Sequence, residues 1–206
     1  MQIFVGGYAT SGSRVPSMIL ERAGYYIGKN GGSTYDAGGN EFAFVFGDWI
    51  HDKSQVNEDA LKAILDDQIE GRDDWVLKHG HLMLIVPKLK IWYPSSKFIL
   101  TVRHPLDQML RWKGFPYSCG ELSLPCEENA RYSLEEYAFL HNEALRDTDL
   151  IWRLEEVCYD PISAISKLLT FVGIDDDPNK YVDLIKPAYT IGMFSHPIIE
   201  KLGYSL

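Results

Sequence analysis

Short apolar runs with the length of β-strands alternate along the chain with stretches in which apolar residues recur every three or four positions. The runs predict strands at 3–8, 75–78, 97–103 and 150–154. The periodic stretches predict helices at 15–24, 56–70, 82–90, 105–113, 134–146 and 161–172, with a short one at 181–185. This alternation predicts a three-layer α/β/α domain with a mostly parallel central sheet.

The chain is predicted to form one domain over residues 1–206. A length of 206 residues with 46% hydrophobic content is enough for one sizeable core. Two stretches, about 28–55 and 114–132, are rich in loop-forming residues and read as irregular excursions from the domain.

Composition excludes several classes of function. The formal net charge of −9 opposes non-specific binding to nucleic acid or to a membrane surface, so neither partner is expected. Cys119, Cys126 and Cys158 lack the spacing of metal ligands and suit reduced thiols. Because the sequence also has no leader-like segment and no apolar run of about 18 residues, a cytoplasmic location is expected.

The first predicted strand leads into a loop built of small residues and then into a helix. The spacing Gly7-x4-Gly12 is that of a phosphate-binding P-loop, but Ser13-Arg14 follows where Lys-Ser/Thr is usual. Backbone N–H groups at the start of a helix, together with the helix dipole, favour an anion. The strand at 97–103 ends in Arg103 rather than in the Asp that would hold Mg²⁺. The sequence therefore predicts an anionic ligand bound without a metal ion.

Ligands of parallel α/β sheets collect at the carboxyl ends of the strands. Besides the loop after Tyr8, these ends carry Lys78, Arg103 and Arg153. We therefore expect a cationic rim around the start of the first helix.

Four stretches resemble the sulfotransferases that use 3′-phosphoadenosine-5′-phosphosulfate (PAPS). Residues 4–14 resemble the 5′-phosphosulfate loop, and 98–107 resemble the 3′-phosphate segment, an apolar strand ending in Arg-Asp/Asn-Pro. Residues 75–79 resemble the strand with the catalytic Lys, and 152–174 resemble the late family stretch. The resemblance implies a P-loop NTPase-like fold and sulfuryl transfer from PAPS to a hydroxyl or amine. The product would be 3′-phosphoadenosine-5′-phosphate (PAP), with no metal involved.

The resemblance also implies roles for individual residues. Its cofactor-binding set is Ala9, Thr10, Ser11, Gly12, Ser13, Arg14, Arg103 and Arg111. Lys78 or Arg14 would neutralise charge on the leaving oxygen. A base is needed for the acceptor, and an imidazole suits this role because it titrates near neutrality. His79 is favoured by motif position, with His81 as the alternative.

The sequence departs from the family pattern at three places. Thr10 stands where the family has Lys or Arg, Arg111 stands where it has Ser, and the stretch 191–194 lacks the family's Arg. Arg14 offers a replacement charge directly after the loop. The alternatives are a catalytically weakened PAPS- or PAP-binding protein and a P-loop kinase of small molecules. The acceptor, a small molecule or a glycan, and the oligomeric state stay open.

Overall fold

Four parallel strands form the centre of the part of the molecule that the structure describes. A computed structural model describes residues 1–8, 11–29, 35–37, 57–105, 138 and 141–185. The strands are β1 (Gln2–Gly6), β2 (Trp75–Lys78), β3 (Lys97–Val102) and β4 (Leu150–Arg153). They pair in the order β2-β1-β3-β4, and every pairing is parallel, as the sequence predicts. Because all four strands run the same way, their carboxyl ends lie at one edge of the sheet.

Helices connect the strands. They are α1 (Arg14–Arg22), α2 (Glu58–Ile69), α3 (Val86–Trp92), α4 (Leu154–Tyr159) and α5 (Pro161–Phe171), with 3₁₀ helices at Gly80–Leu84 and Pro178–Leu184. Residue 138 and residues 141–145 are also helical. No helix in the described ranges is long and apolar enough to cross a membrane.

Buried side chains form a separate core on each face of the sheet. Alternate residues of a strand point to opposite faces. Ile3, Val5, Val76 and Ile99 share a core with α1 and α5, on what we call the α1 face. Phe4, Leu77, Phe98 and Leu100 share the other core with α2 and α3. The three-layer α/β/α prediction is therefore confirmed.

Several boundaries differ from the prediction. The helix expected at 82–90 is two pieces, the 3₁₀ helix Gly80–Leu84 and α3, with Ile85 between them. Pro87 explains the break, because proline lacks an N–H and its ring clashes with the carbonyl four residues earlier. Helix α4 was missed, since it follows β4 without a turn. The short helix expected at 181–185 is a 3₁₀ helix that begins at Pro178.

Some predictions fall on residues outside the described ranges. These include the helix at 105–113 beyond its first residue, most of both excursions, Cys119, Cys126 and the stretch 191–194. The single-domain assignment stays a prediction.

Candidate functional site

The loop after β1 is fastened to the carboxyl end of β3. The Thr101 hydroxyl donates a hydrogen bond to the Gly6 carbonyl (3.0 Å) and lies 2.7 Å from the Ser11 hydroxyl. A hydroxyl has one proton, so the Ser11 hydroxyl must be the donor in the second bond. The Ser11 N–H also bonds to the carbonyl of Tyr8. Both donors of Ser11 therefore act within the protein and fix the shape of the loop.

Two glycines of this loop are required by close contacts. A Cβ on Gly7 would lie 2.1 Å from Thr101 Oγ1 and 2.4 Å from the Thr101 carbonyl oxygen. Gly12 has a φ of +85°, and a Cβ there would approach the Leu154 side chain to 2.8 Å. The glycines thus let the loop lie directly against β3 and the start of α4.

The loop leads into α1, whose first residue is Arg14. Ser13 precedes the helix and makes no side-chain capping hydrogen bond. The Val15 N–H bonds to the Gly12 carbonyl, and Pro16 has no N–H to offer. The backbone N–H groups that can donate to an anion at the start of this helix are therefore those of Ser13 and Arg14. Ala9 and Thr10 lie outside the described residues.

Lys78, at the carboxyl end of β2, is buried and makes an ion pair. Its Nζ lies 2.7 Å from Asp36 Oδ1. Burial lowers the pKa of Lys78, the Asp36 carboxylate opposes this effect, and the positive charge of Arg14 lowers the pKa further. The effect of Arg14 on this pKa indicates that its positive charge, at the start of α1, lies near Lys78 at the end of β2.

His79 and His81 lie just beyond β2, and burial lowers the pKa of each. Burial, with a smaller effect of His81, lowers the pKa of His79 to about 3. Burial also lowers the pKa of His81, opposed by the Asp36 carboxylate. The Nδ1 atom of His79 accepts a hydrogen bond from the His81 N–H (3.3 Å) and so caps the 3₁₀ helix Gly80–Leu84. A neutral imidazole has one such lone pair, so His79 would have to release this bond to accept a proton.

Arg103 follows β3 and is 2% exposed. The next residue, His104, donates its N–H to Glu155 Oε1 (2.8 Å) at the start of α4. This hydrogen bond therefore links the residues that follow β3 to those that follow β4. Arg153, the third cation at a strand end, makes a surface ion pair with Glu156 at 2.8 Å. Arg111 lies outside the described residues.

The strand alternation brings several of these groups to one face of the sheet. Lys78 stands two residues after Val76, which is in the core of the α1 face. Thr101 stands two residues after Ile99 of the same core, so it lies on the same face. The structure therefore places Lys78 and Thr101 on the face that carries α1 and its loop.

Asp36 is one of the site residues that the sequence analysis missed. It lies in a segment rich in Gly, Asn and Ser that was interpreted only as a loop. Its contact with Lys78 joins residues 42 positions apart, which no local pattern signals. Within the described residues no group of three His, Cys, Asp or Glu side chains is arranged to hold a metal ion.

Comparisons with solved structures place the fold among the sulfotransferases. The sulfotransferase domain from the curacin biosynthetic pathway superposes with a TM-score of 0.60 at 15% identity, covering 100% of this chain and 98% of that one. Retinol dehydratase, solved with androsterone and the inactive cofactor PAP, gives a TM-score of 0.52 at 13% identity, covering 90% and 64%. The chain thus spans nearly all of one relative and less than two thirds of the other.

A kinase shares the same architecture. Shikimate kinase from Bacteroides thetaiotaomicron superposes with a TM-score of 0.57 at 11% identity, covering 84% of this chain and 99% of that one. No protein-family model and no curated protein sequence matches the chain. The chain therefore has the sulfotransferase fold, a P-loop type of α/β architecture that it shares with this shikimate kinase.

Proposed function

We propose that this protein is a sulfotransferase that transfers a sulfuryl group from PAPS to a hydroxyl or amine of a small-molecule or glycan acceptor. One observation carries the proposal beyond the fold. The loop before α1, Lys78 and the end of β3 lie on the same face at the carboxyl edge of the sheet, with Ser11 bonded to Thr101. The proposal takes this place as the anion site, with the start of α1 as its N–H donors and Lys78 and Arg103 as its cations.

The donor set of this place suits a nucleotide with phosphate at both ends. The N–H groups of Ser13 and Arg14 and the dipole of α1 would hold the 5′-phosphosulfate. Arg103 would hold the 3′-phosphate through its fork of N–H donors, and Arg111 is proposed to assist it. A set of cations and N–H groups binds such an anion without a metal ion. PAP in the retinol dehydratase structure supports this choice of nucleotide.

The reaction is close to phosphoryl transfer, so positioning and charge stabilisation dominate. The acceptor oxygen or nitrogen forms a bond to sulfur while the bond from sulfur to the 5′-phosphate oxygen breaks. The acceptor proton passes to a base, and the bonding electrons of the broken bond stay on the phosphate. Lys78, with Arg14 nearby, would neutralise that charge. His79 or His81 would take the proton. If His79 is the base, its Nδ1 must first release the hydrogen bond that it accepts from the His81 N–H.

Two other functions share parts of this site. The structural similarity to shikimate kinase favours a P-loop kinase. The absence of the loop Lys opposes it, because this chain has Ser13 at that position. A PAP-binding protein with weak turnover is favoured by Thr10, which stands where the family has a cation.

Calorimetric titration separates these functions. We expect tight binding of PAP that does not change when EDTA replaces Mg²⁺, and weaker binding of Mg-ATP. A preference for Mg-ATP would reverse the assignment in favour of the kinase. Transfer of labelled sulfate from PAPS to a panel of hydroxyl and amine acceptors then distinguishes the enzyme from the weakened binder.

A further inference from the structure

We propose that Asp36 is a positioning residue for Lys78, which orients the ammonium group and keeps its charge in place for the reaction. This inference rests on the proposed function, because it concerns the group that would neutralise the leaving oxygen. The pair joins a buried side chain, 8% exposed, to a carboxylate that is 31% exposed.

The segment that carries Asp36 lies along the outer edge of β2. Among the strands of the described residues, β2 is the last one of the sheet on its side. Tyr26 and Asp36 make parallel bridges to Trp75 and Lys78, and the Ala37 N–H bonds to the Lys78 carbonyl at 2.8 Å. The backbone of the segment is therefore fixed next to the very residue whose side chain Asp36 contacts.

A second contact fixes the same segment to α1. Tyr35 has a φ of +59°, in the left-handed region that residues other than glycine rarely adopt. Its hydroxyl donates a hydrogen bond to Glu21 of α1. Holding a non-glycine residue in this conformation strains the backbone, and such strain is found at functional sites. The strained residue directly precedes Asp36, so it sets the direction from which the carboxylate reaches Lys78.

The electrostatics explain why Lys78 needs such a partner. Burial disfavours the charged form of the amine, and the nearby charge of Arg14 disfavours it further. Both effects lower the pKa of Lys78, and Asp36 is the group that raises it. A neutral amine cannot stabilise negative charge on the leaving oxygen. Lysine also has a long, flexible side chain, so a fixed carboxylate restricts where the ammonium lies.

The direct test is the titration of Lys78 itself. Competitive labelling of the wild-type protein with acetic anhydride, read by mass spectrometry as a function of pH, reports the pH at which each lysine loses its proton. Asp36→Asn should lower the Lys78 midpoint by roughly 1–3 pH units, the effect of removing an adjacent opposite charge. Asp67→Asn is the matched control, because Asp67 makes an exposed ion pair with Lys29 at 3.0 Å. An unchanged Lys78 midpoint in Asp36→Asn overturns the inference.

Turnover supplies a readout that a purely structural role would not move. Asp36→Asn should reduce turnover with PAPS about tenfold or more while PAP affinity changes less than twofold, and Asp36→Glu should restore most of the turnover. In a Lys78→Ala background, the Asp36→Asn change should have no further effect on turnover. Equal losses with and without Lys78 would mean that Asp36 acts only on the fold. If Asp36→Asn does not fold, Asp36→Ser, which is neutral but still accepts a hydrogen bond, carries the same expectations.

The outcomes also separate this inference from the proposed function. A wild-type protein that neither binds PAP nor transfers sulfuryl groups overturns the proposed function, and this inference with it. A wild-type protein that does both, while Asp36→Asn matches it in labelling and turnover, overturns this inference alone.

Discussion

Replacing Thr101 with valine tests the junction between the loop and β3. The two side chains have nearly the same shape, so the change removes the hydroxyl and little else. In the structure that hydroxyl donates to the Gly6 carbonyl and accepts from Ser11, and Thr101 is fully buried. Thr101→Val therefore leaves a buried acceptor and a buried donor without their partner. Each such group costs about 1–3 kcal/mol, so we expect a loss of roughly 2–6 kcal/mol in the free energy of unfolding.

Ser11→Ala is the matched comparison. It removes only the bond that Ser11 donates, and Thr101 keeps its own bond to Gly6, so the expected loss is about 0.5–1.5 kcal/mol. Urea unfolding followed by circular dichroism measures both losses, and PAP titration reports whether the loop still binds. A loss in Thr101→Val no larger than that in Ser11→Ala would refute the assigned direction of the hydrogen bonds.

Three further predictions follow from the same contacts. Gly7→Ala should prevent a stable fold or lower the free energy of unfolding by more than about 4 kcal/mol, because the new Cβ would lie 2.1 Å from Thr101 Oγ1. Thermal unfolding measures this loss, and a melting temperature close to that of wild type would contradict the prediction. Lys78→Ala should reduce turnover far more than PAP affinity, because the proposed role of its charge is in the transition state; equal losses in the two assays would argue against that role. The folded-state pKa of His79 is lowered to about 3, so the unfolded chain binds the extra proton first and stability should fall as pH drops from about 6.5 towards 3. His79→Asn, whose side chain can still accept from the His81 N–H, should lose less stability over that range in pH-dependent melting; an identical pH dependence would refute the contribution of His79.

Much of the fold could be predicted because buried parallel strands correspond to short apolar runs in the sequence. Strand β2 is observed at the predicted residues 75–78, and the other three differ by one or two residues at their ends. The helix break at Ile85 was missed because the apolar period continues through it, although Pro87 was a visible signal. Helix α4 was missed because it follows β4 without a loop, and the acidic pair Glu155-Glu156 in its first turn was its one start signal.

The candidate site was predictable where charged residues follow strands. Lys78 and the loop before α1 lie at the expected edge because the carboxyl ends of parallel strands lie at the same edge of the sheet. Asp36 was not predictable, since its contact depends on how a distant segment runs beside β2. The role of Glu155 was hidden for the same reason: its carboxylate accepts from the His104 backbone N–H of another strand end, whereas the neighbouring Glu156 pairs locally with Arg153.

The central claim is that one nucleotide bridges the start of α1 and Arg103. Calorimetric titration of PAP and of AMP, which lacks the 3′-phosphate, into wild type, Arg103→Ala and the surface control Arg146→Ala tests it most directly. The account predicts that Arg103→Ala weakens PAP binding by about 1–3 kcal/mol and leaves AMP binding unchanged, while Arg146→Ala matches wild type for both. Unchanged PAP affinity in Arg103→Ala, or an equal loss for PAP and AMP, would contradict it.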